Sequence, residues 1–158
     1  MTLHTIPPVW DENSKVLILG SFPSVKSREE GFFYGHKQNR FWKVVANVCN
    51  FPEPQNIDDK KAMLLANGIA VWDVIHSCDI VGSSDSSIKN VVPNDIADIV
   101  QKSHIERIFT NGKKADELYK KYIEQTVGIS AECLPSTSPA NAQWSLDKLC
   151  KEWKKRLL

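Results

Sequence analysis

Two polar loops that follow short apolar runs carry the residues of this chain that are best suited to chemistry. The first run, residues 16–19, leads into a loop at 20–24 and then into the segment 34–42, whereas the second run, 133–134, leads into a loop at 135–141. Together they offer small residues, hydroxyl groups, a carboxamide and an aromatic ring. They contain no pair of carboxylates, no metal-ligand cluster and no nucleophile beside a base. Such residues suit the binding of an anionic backbone and a flat base better than the hydrolysis of an ester.

The size and charge of the chain limit what it can bind. Its 158 residues are enough for one domain with a single core, so we predict one domain over residues 1–158. The formal net charge of +1 gives no overall attraction to nucleic acid or membrane, and any basic surface must be local. Residues 37–43 and the lysine-rich C-terminal residues are candidates, although a solvated helix face is the simpler explanation of both.

The cysteines and the apolar segments indicate the compartment. Cys49, Cys78, Cys133 and Cys150 form no CxxC pair, which argues against a zinc or iron–sulfur site. The N-terminus lacks the pattern of a signal peptide, and no segment approaches the ~20 apolar residues that span a bilayer. We therefore expect a cytoplasmic protein with reduced thiols, without a metal and without membrane contact. Nothing in the sequence indicates oligomerisation, so a monomer is the default.

Strand and helix patterns alternate along the chain. Strands are predicted at 16–19, 69–74, 105–110 and 129–134; helices are predicted from Asn39 onwards, over 57–67, after 93–95, and around 115–122 and 146–157. Residues 77–87 are predicted to form a long loop. This alternation predicts an α/β protein, a three-layer α/β/α sandwich with a mainly parallel central sheet. Ligands of such sheets bind beyond the carboxyl ends of the strands, where both motif loops, Asp73 and Asn111 fall.

At these loops the chain resembles the uracil-DNA glycosylase superfamily. Residues 36–44, His-Lys-Gln-Asn-Arg-Phe-Trp-Lys-Val, are very similar to the matching stretch of the mismatch-specific uracil/thymine-DNA glycosylases, and residues 134–143 are similar to their second motif. The resemblance extends from about residue 15 to the C-terminus and is sharpest in the two loops.

One departure narrows the resemblance. The mismatch-specific enzymes carry Gly-Ile-Asn-Pro-Gly in the first loop, where the Asn positions the attacking water; this chain has Gly-Ser-Phe-Pro-Ser, with Phe22 in the place of the amide. The variant resembles the hypoxanthine-DNA (deoxyinosine) glycosylase branch, in which an Asn ahead of the Phe-Trp pair takes that role. The matching residue here is Asn39. The missing amide counts against strong uracil activity.

The resemblance implies a function in base excision repair. A monofunctional DNA glycosylase would hydrolyse the N-glycosidic bond of deaminated bases in damaged DNA, hypoxanthine first and uracil second, without a metal or cofactor. Asn39 would orient the water, although a helix N-cap equally explains an Asn at this position and both roles can coexist.

The remaining site residues that the resemblance implies fall into two sets. The base-binding set is Ser21, Phe22, Tyr34, Asp73 and Asn111. Each has an ordinary alternative: a plain turn for Ser21 and Asn111, core packing for Phe22 and Tyr34, and a loop hydrogen bond for Asp73. The DNA-binding set is His36, Arg40, Ser136, Ser138, Pro139 and Asn141, for which a polar surface loop is the alternative.

Two other functions compete with this interpretation. The fold could bind damaged or single-stranded DNA with little or no glycosylase activity, because Phe22 replaces the usual amide. A doubly wound nucleotide-binding protein is a weaker alternative, because the chain has neither a Gly-x-Gly-x-x-Gly sequence nor a P-loop. Of the histidines, only His36 lies in a motif; we expect His4, His76 and His104 to have no chemical role.

Overall fold

The computed structural model describes residues 1–158, and seven strands and seven helices make up its regular structure. The strands are β1 (Thr2–Leu3), β2 (Val16–Gly20), β3 (Ile69–Asp73), β4 (Ile75–Asp79), β5 (Lys89–Pro93), β6 (Arg107–Asn111) and β7 (Ala131–Leu134). The helices are α1 (Val25–Glu30), α2 (Phe41–Cys49), α3 (Ile57–Ala66), α4 (Ile96–Gln101), α5 (Lys113–Tyr122), α6 (Glu124–Val127) and α7 (Leu146–Leu157), and a 3-10 turn covers Asp85–Ser87.

The central sheet has the strand order β3-β2-β6-β7, and every pair in it is parallel. Along β2, Ile18 faces one side of the sheet while Leu17 and Leu19 face the other, and all three are fully buried. A strand that is buried on both faces is typical of a parallel sheet covered by helices on both sides. The predicted fold class, a three-layer α/β/α sandwich, is confirmed.

Helices cover both faces of this sheet. On the Ile18 side, α2, α3 and α7 contribute buried residues such as Phe41, Met63 and Trp153. On the opposite side, α4 and α5 contribute Ile96 and Leu118 among others. None of these helices combines the length and the apolar content needed to cross a bilayer.

A second, smaller sheet was not predicted. Strands β1, β4 and β5 form an antiparallel sheet in which Thr2 pairs with Cys78, and it places residues 77–79 in a strand rather than in the predicted loop. The prediction failed there because β4 is completed by pairing with an N-terminal strand far away in the sequence, and a local pattern does not report such a pairing. Helix α1 and strand β5 were also not predicted.

Two buried indoles link the helices to the motif loops. Trp153 of α7 donates a hydrogen bond from Nε1 to the Pro135 carbonyl oxygen at 2.9 Å, and Trp42 of α2 donates one to the Phe33 carbonyl oxygen at 3.1 Å. The helical layer on this face therefore sets the position of the loop after β7 and of the segment that carries Tyr34.

Candidate active site

A cleft with a volume of about 420 Å³ opens at the carboxyl ends of the central strands. It lies where the sheet topology predicted it, between the first motif loop (residues 20–24), the Asn39 segment (residues 34–42) and the second motif loop (residues 135–141). All of the predicted site residues line the cleft except Arg40 and Asn141.

Hydrogen bonds through Thr137 connect the two sides of this cleft. The fully buried Thr137 donates from its hydroxyl to Oδ1 of Asn39 at 2.9 Å, and it accepts from Nδ2 of Asn111 at 3.0 Å. The Thr137 backbone N–H donates in turn to Oδ1 of Asn111 at 3.1 Å. Asn39 and Asn111 are thus held by a residue that the sequence analysis did not single out.

The amide of Asn39 has a defined orientation. Its Oδ1 also accepts from the Phe41 backbone N–H at 2.9 Å, at the first residue of α2. A backbone N–H requires an acceptor, so this bond identifies the oxygen and turns the NH₂ group away. The N-cap of α2 is Arg40 rather than Asn39, although the Asn39 side chain still bonds to the first backbone N–H of the helix. The Nδ2 hydrogens of Asn39 bond to nothing in the chain and remain free to donate.

The Arg40 side chain clamps the second motif loop through hydrogen bonds to backbone carbonyl oxygens. Its guanidinium donates to the backbone carbonyl oxygens of Thr137, Ser138 and Asn141 at 3.3, 2.8 and 3.1 Å, and also to that of Trp144. These bonds occupy the charged end of Arg40 within the protein, so its predicted contact with DNA stays a prediction.

The second motif loop is also held by bonds within itself. Ser136 accepts from the Ser138 backbone N–H, Ser138 accepts from that of Ala140, and the Asn141 amide donates to the Ser136 carbonyl oxygen. Both serine hydroxyl groups therefore keep their own protons free to donate. Gly112, with a φ of +97°, allows the loop to approach β6, because a Cβ there would lie 3.1 Å from the Ser136 side chain.

Tyr34 lies at the base of the cleft in a backbone conformation that is rare for an aromatic residue, with a φ of +52°. One face of its ring stacks on Phe41, with the centroids 4.0 Å apart. Its hydroxyl group is buried and has no hydrogen-bond partner. Burial, and then the negative charge of Asp73, raise the pKa of this hydroxyl well above its usual value, so it is a neutral donor.

Asp73 and Phe22 both contact His4, which was not among the predicted site residues. Nε2 of His4 lies 2.8 Å from Oδ2 of Asp73, and both residues are more than nine-tenths buried. Phe22 packs edge-on against the His4 ring, with the centroids 5.9 Å apart. His4, which was expected to have no chemical role, thus contacts a residue that lines the cleft.

A serine-rich segment, residues 81–88, lies across the first motif loop. The Ser21 hydroxyl donates to Oδ1 of Asp85 at 3.1 Å, and the Val25 backbone N–H donates to the Ser83 hydroxyl at 2.9 Å. Asp85 as a whole is an exposed residue, but neighbouring protein atoms partly desolvate its carboxyl group, and this desolvation raises its pKa. The hydrogen bond from the Ser21 hydroxyl opposes the rise. A long loop was predicted here from the sequence, but Asp85 was not among the predicted site residues.

His36 is exposed at the rim of the cleft. Its Nδ1 accepts from the Gln38 backbone N–H at 3.1 Å, which leaves Nε2 as the protonated nitrogen of the neutral ring. Pro139 is also exposed, at the tip of the second motif loop. The structure therefore places His36, Pro139 and the two serines on the side of the cleft that faces solvent.

Comparison with known proteins agrees with this geometry. A family model described as "Uracil DNA glycosylase superfamily" matches residues 7–158. The chain belongs to this superfamily. The membership confirms the predicted family and the predicted class of enzyme, a DNA N-glycosylase.

Proteins of two Methanosarcina species are similar to this chain over most of their length. A "Hypoxanthine DNA glycosylase" of Methanosarcina acetivorans is 34% identical, with 97% of this chain and 96% of that protein aligned. A protein of the same name from Methanosarcina barkeri is 31% identical over 89% of each chain. A solution NMR structure of a proposed uracil DNA glycosylase from M. acetivorans superimposes with a TM-score of 0.82 at 33% identity and covers 96% of this chain and 93% of that one.

Replacing Arg40 with lysine should loosen the second motif loop. A lysine ammonium lacks the planar fork that reaches several carbonyl groups at once. We expect Arg40→Lys to lower the free energy of unfolding by about 2 kcal/mol and to speed amide hydrogen exchange in residues 137–144. Urea denaturation and exchange mass spectrometry measure the two effects. Arg156→Lys, on the exposed face of α7, is the matched control, and equal effects of the two substitutions would contradict the clamp.

Asp85 should make stability depend on pH. Because its folded-state pKa is raised, its contribution to stability is complete below the unfolded pKa of about 4 and is lost as the pH rises through the folded value. Asp85→Asn removes this loss, so the variant should gain stability relative to the wild type between about pH 4 and pH 7. Ser21→Ala removes the opposing hydroxyl and should enlarge the loss. Urea denaturation across this pH range is the measurement; parallel curves for Asp85→Asn and the wild type would disprove the assignment.

Proposed function

We propose that this protein is a monofunctional DNA glycosylase that hydrolyses the N-glycosidic bond of hypoxanthine in DNA, with uracil as a secondary substrate. The observation that carries the proposal is the Asn39 amide, which lines the cleft and is held by Thr137 of the second motif loop and by the start of α2 with its NH₂ group unpaired. The superfamily and the two relatives named hypoxanthine DNA glycosylase support the choice of reaction and of base.

The reaction requires the base to leave the stack and enter the cleft. A volume of about 420 Å³ lies within the range of roughly 300–1,000 Å³ that small-molecule pockets occupy. The sugar passes through an oxocarbenium-like state that water then attacks, so the site needs a positioned water and donors for the departing base rather than a strong base. No lysine lines the cleft, which supports water rather than an amine as the nucleophile.

Asn39 would hold this water from the donor side of its amide. Its Oδ1 is already used by Thr137 and Phe41, so an Nδ2 hydrogen is the group available to the oxygen of the water. A water bound in this way keeps its second lone pair for C1′ of the deoxyribose. The short bonds on Oδ1 keep the amide from turning, and this pre-organisation is what makes a weak donor effective.

The base would lie against Tyr34. Because Phe41 covers one face of the Tyr34 ring, a flipped base would use the other face. Stacking of this kind is worth roughly 1–3 kcal/mol per base. Phe22 would form a wall of the pocket, Ser21 would direct backbone N–H groups inwards, and Asn111 and Asp73 would meet the polar edge of the base.

The second motif loop would bind the DNA around the vacated position. Ser136 and Ser138 have free hydroxyl protons for phosphate oxygens, as His36 has at Nε2. Pro139 at the exposed tip would fill the gap in the stack, with Asn141 bracing the loop. Arg40 would act on DNA through this loop.

The proposed working form is a monomer in the cytoplasm. All four cysteines are free thiols, and free thiols persist in reducing compartments.

Excision assays on four duplexes test the function. Each duplex carries one deoxyinosine, deoxyuridine, mismatched thymidine or deoxyxanthosine, and alkali converts abasic sites into strand breaks. We expect breaks at deoxyinosine first and at deoxyuridine more slowly. Tight binding to deoxyinosine without any abasic product would instead favour the damage-binding alternative.

The substitution Asn39→Asp tests the donor role of the amide separately from its hydrogen bond to the start of α2. The carboxylate still accepts from Phe41 and Thr137 but donates nothing, so the variant should keep the thermal midpoint of the wild type while deoxyinosine excision falls by about 100-fold. Asn39→Ala should lose both stability and activity. Single-turnover rates and thermal melts are the measurements. Wild-type excision by Asn39→Asp would refute the donor role of the amide.

A further inference from the structure

Asp73 of the cleft is in contact with the buried His4, and His4 is not used by any step described above. The two residues are 69 positions apart in the sequence, and β1 brings them together because the His4 backbone N–H donates to the His76 carbonyl oxygen at 2.7 Å. Phe22 and Phe33 flank the His4 ring, with centroids 5.9 and 6.0 Å away. A buried carboxylate in such surroundings needs a donor, and His4 supplies one.

The other carboxylate oxygen of Asp73 is unoccupied. His4 contacts Oδ2, whereas Oδ1 accepts no hydrogen bond from the protein and lies in the space that a side chain at Gly20 would enter. A Cβ at residue 20 would collide with Oδ1 and would lie 3.0 Å from the Tyr34 hydroxyl. Gly20 thus allows a carboxylate oxygen and a phenol group to share one corner of the cleft.

The donors and acceptors of this corner are incompletely paired. The Tyr34 hydroxyl is buried without a partner. Asn111 uses its Oδ1 and one Nδ2 hydrogen on Thr137, and its amide also lies beside the Tyr34 hydroxyl. Buried polar groups without partners are rare in folded proteins and point to a ligand that completes them. The corner therefore offers one acceptor, Oδ1 of Asp73, beside neutral donors.

We propose that His4 is a positioning residue that holds Asp73 as the acceptor for the ring N–H of a base whose N–H stands next to a carbonyl group. This inference rests on the proposed function and names how the same cleft selects its substrate. Hypoxanthine carries N1–H beside O6, so its N–H meets Asp73 and its O6 meets the donors at Tyr34 and Asn111. Uracil carries the same pair of groups at N3–H.

The arrangement also rejects adenine, whereas guanine and thymine carry the same N–H and carbonyl pair and are not excluded by it. Adenine has an unprotonated N1 and an amino group, so its lone pair would face the carboxylate and leave the donors without an acceptor. A ligand that leaves buried donors and acceptors unpaired is rejected more strongly than one that only fits an apolar pocket poorly. Selection against adenine thus follows from a fixed acceptor, and His4 fixes it.

Binding measurements on non-cleavable duplexes test the proposal. The duplexes carry a 2′-fluoro sugar with hypoxanthine or with unsubstituted purine, which lacks both O6 and N1–H, and the readout is the ratio of the two dissociation constants. His4→Phe keeps a ring but removes the donor, and should reduce the preference for hypoxanthine by about 10- to 100-fold. His4→Gln, whose Nε2 can donate to the same oxygen, should stay within about threefold of the wild type. His76→Phe, an exposed histidine on β4, should change nothing.

The outcomes separate this inference from the function on which it rests. A His4→Phe protein with the wild-type preference would overturn it, because a purely structural histidine changes stability but not the ratio. If His4→Phe does not fold, the same ratio is measured on Asp73→Asn. A wild-type preference for hypoxanthine in that variant would also overturn the inference. A wild-type protein that prefers hypoxanthine but leaves its glycosidic bond intact would refute the proposed function alone.

Discussion

The hydrogen bonds of Thr137 are the constraint on which the rest of the site depends. Thr137 joins Asn39, at the start of α2, to Asn111, at the end of β6, and it lies in the loop after β7. Arg40 also joins the Asn39 segment to the second motif loop, but Thr137 is the residue that bonds to both Asn39 and Asn111. Because Thr137 is fully buried, breaking one bond would leave an unpaired polar group in the interior, so the three segments are coupled rather than merely adjacent.

The same network decides which half of the Asn39 amide is available for the proposed chemistry. Two donors, one from the helix start and one from Thr137, bond to Oδ1 and leave the NH₂ group without a partner in the chain. The structural role of Asn39 and its proposed catalytic role are therefore not alternatives, because the first fixes the donor that the second needs. A side chain that was free to rotate would offer either end of the amide and would lose the advantage of a fixed donor.

Much of this site was predictable because parallel strands impose it. Gly20, Asp73 and Asn111 each end a strand of one sheet, so an alternating pattern of strands and helices was enough to bring them together. The contacts that sequence reasoning missed all depend on pairing between distant segments. His4 reaches Asp73 through an antiparallel strand of two residues, which is too short to show a periodic pattern.

Arg40 and Asp85 show a different limit of sequence reasoning. A basic residue in a DNA-binding motif indicates a phosphate contact, yet here the Arg40 guanidinium donates to backbone carbonyl oxygens of the second motif loop. Asp85 stands in a serine-rich stretch that looks like solvent-exposed loop, and only its fold over Ser21 brings its carboxyl group to the cleft. In both cases the residue type was informative, but the partner was set by the path of a loop.

The proposed function gives a reason for Phe22 in the first motif loop. If Asn39 supplies the donor for the water, as we propose, the first motif loop does not have to hold it. The freed position carries an apolar ring that packs on His4 and contributes to burying its contact with Asp73. An apolar wall strengthens the charge-assisted bond behind it by excluding water. Under the proposed function, a phenylalanine at this position would thus give the first motif loop a part in the recognition of the base rather than in holding the nucleophile.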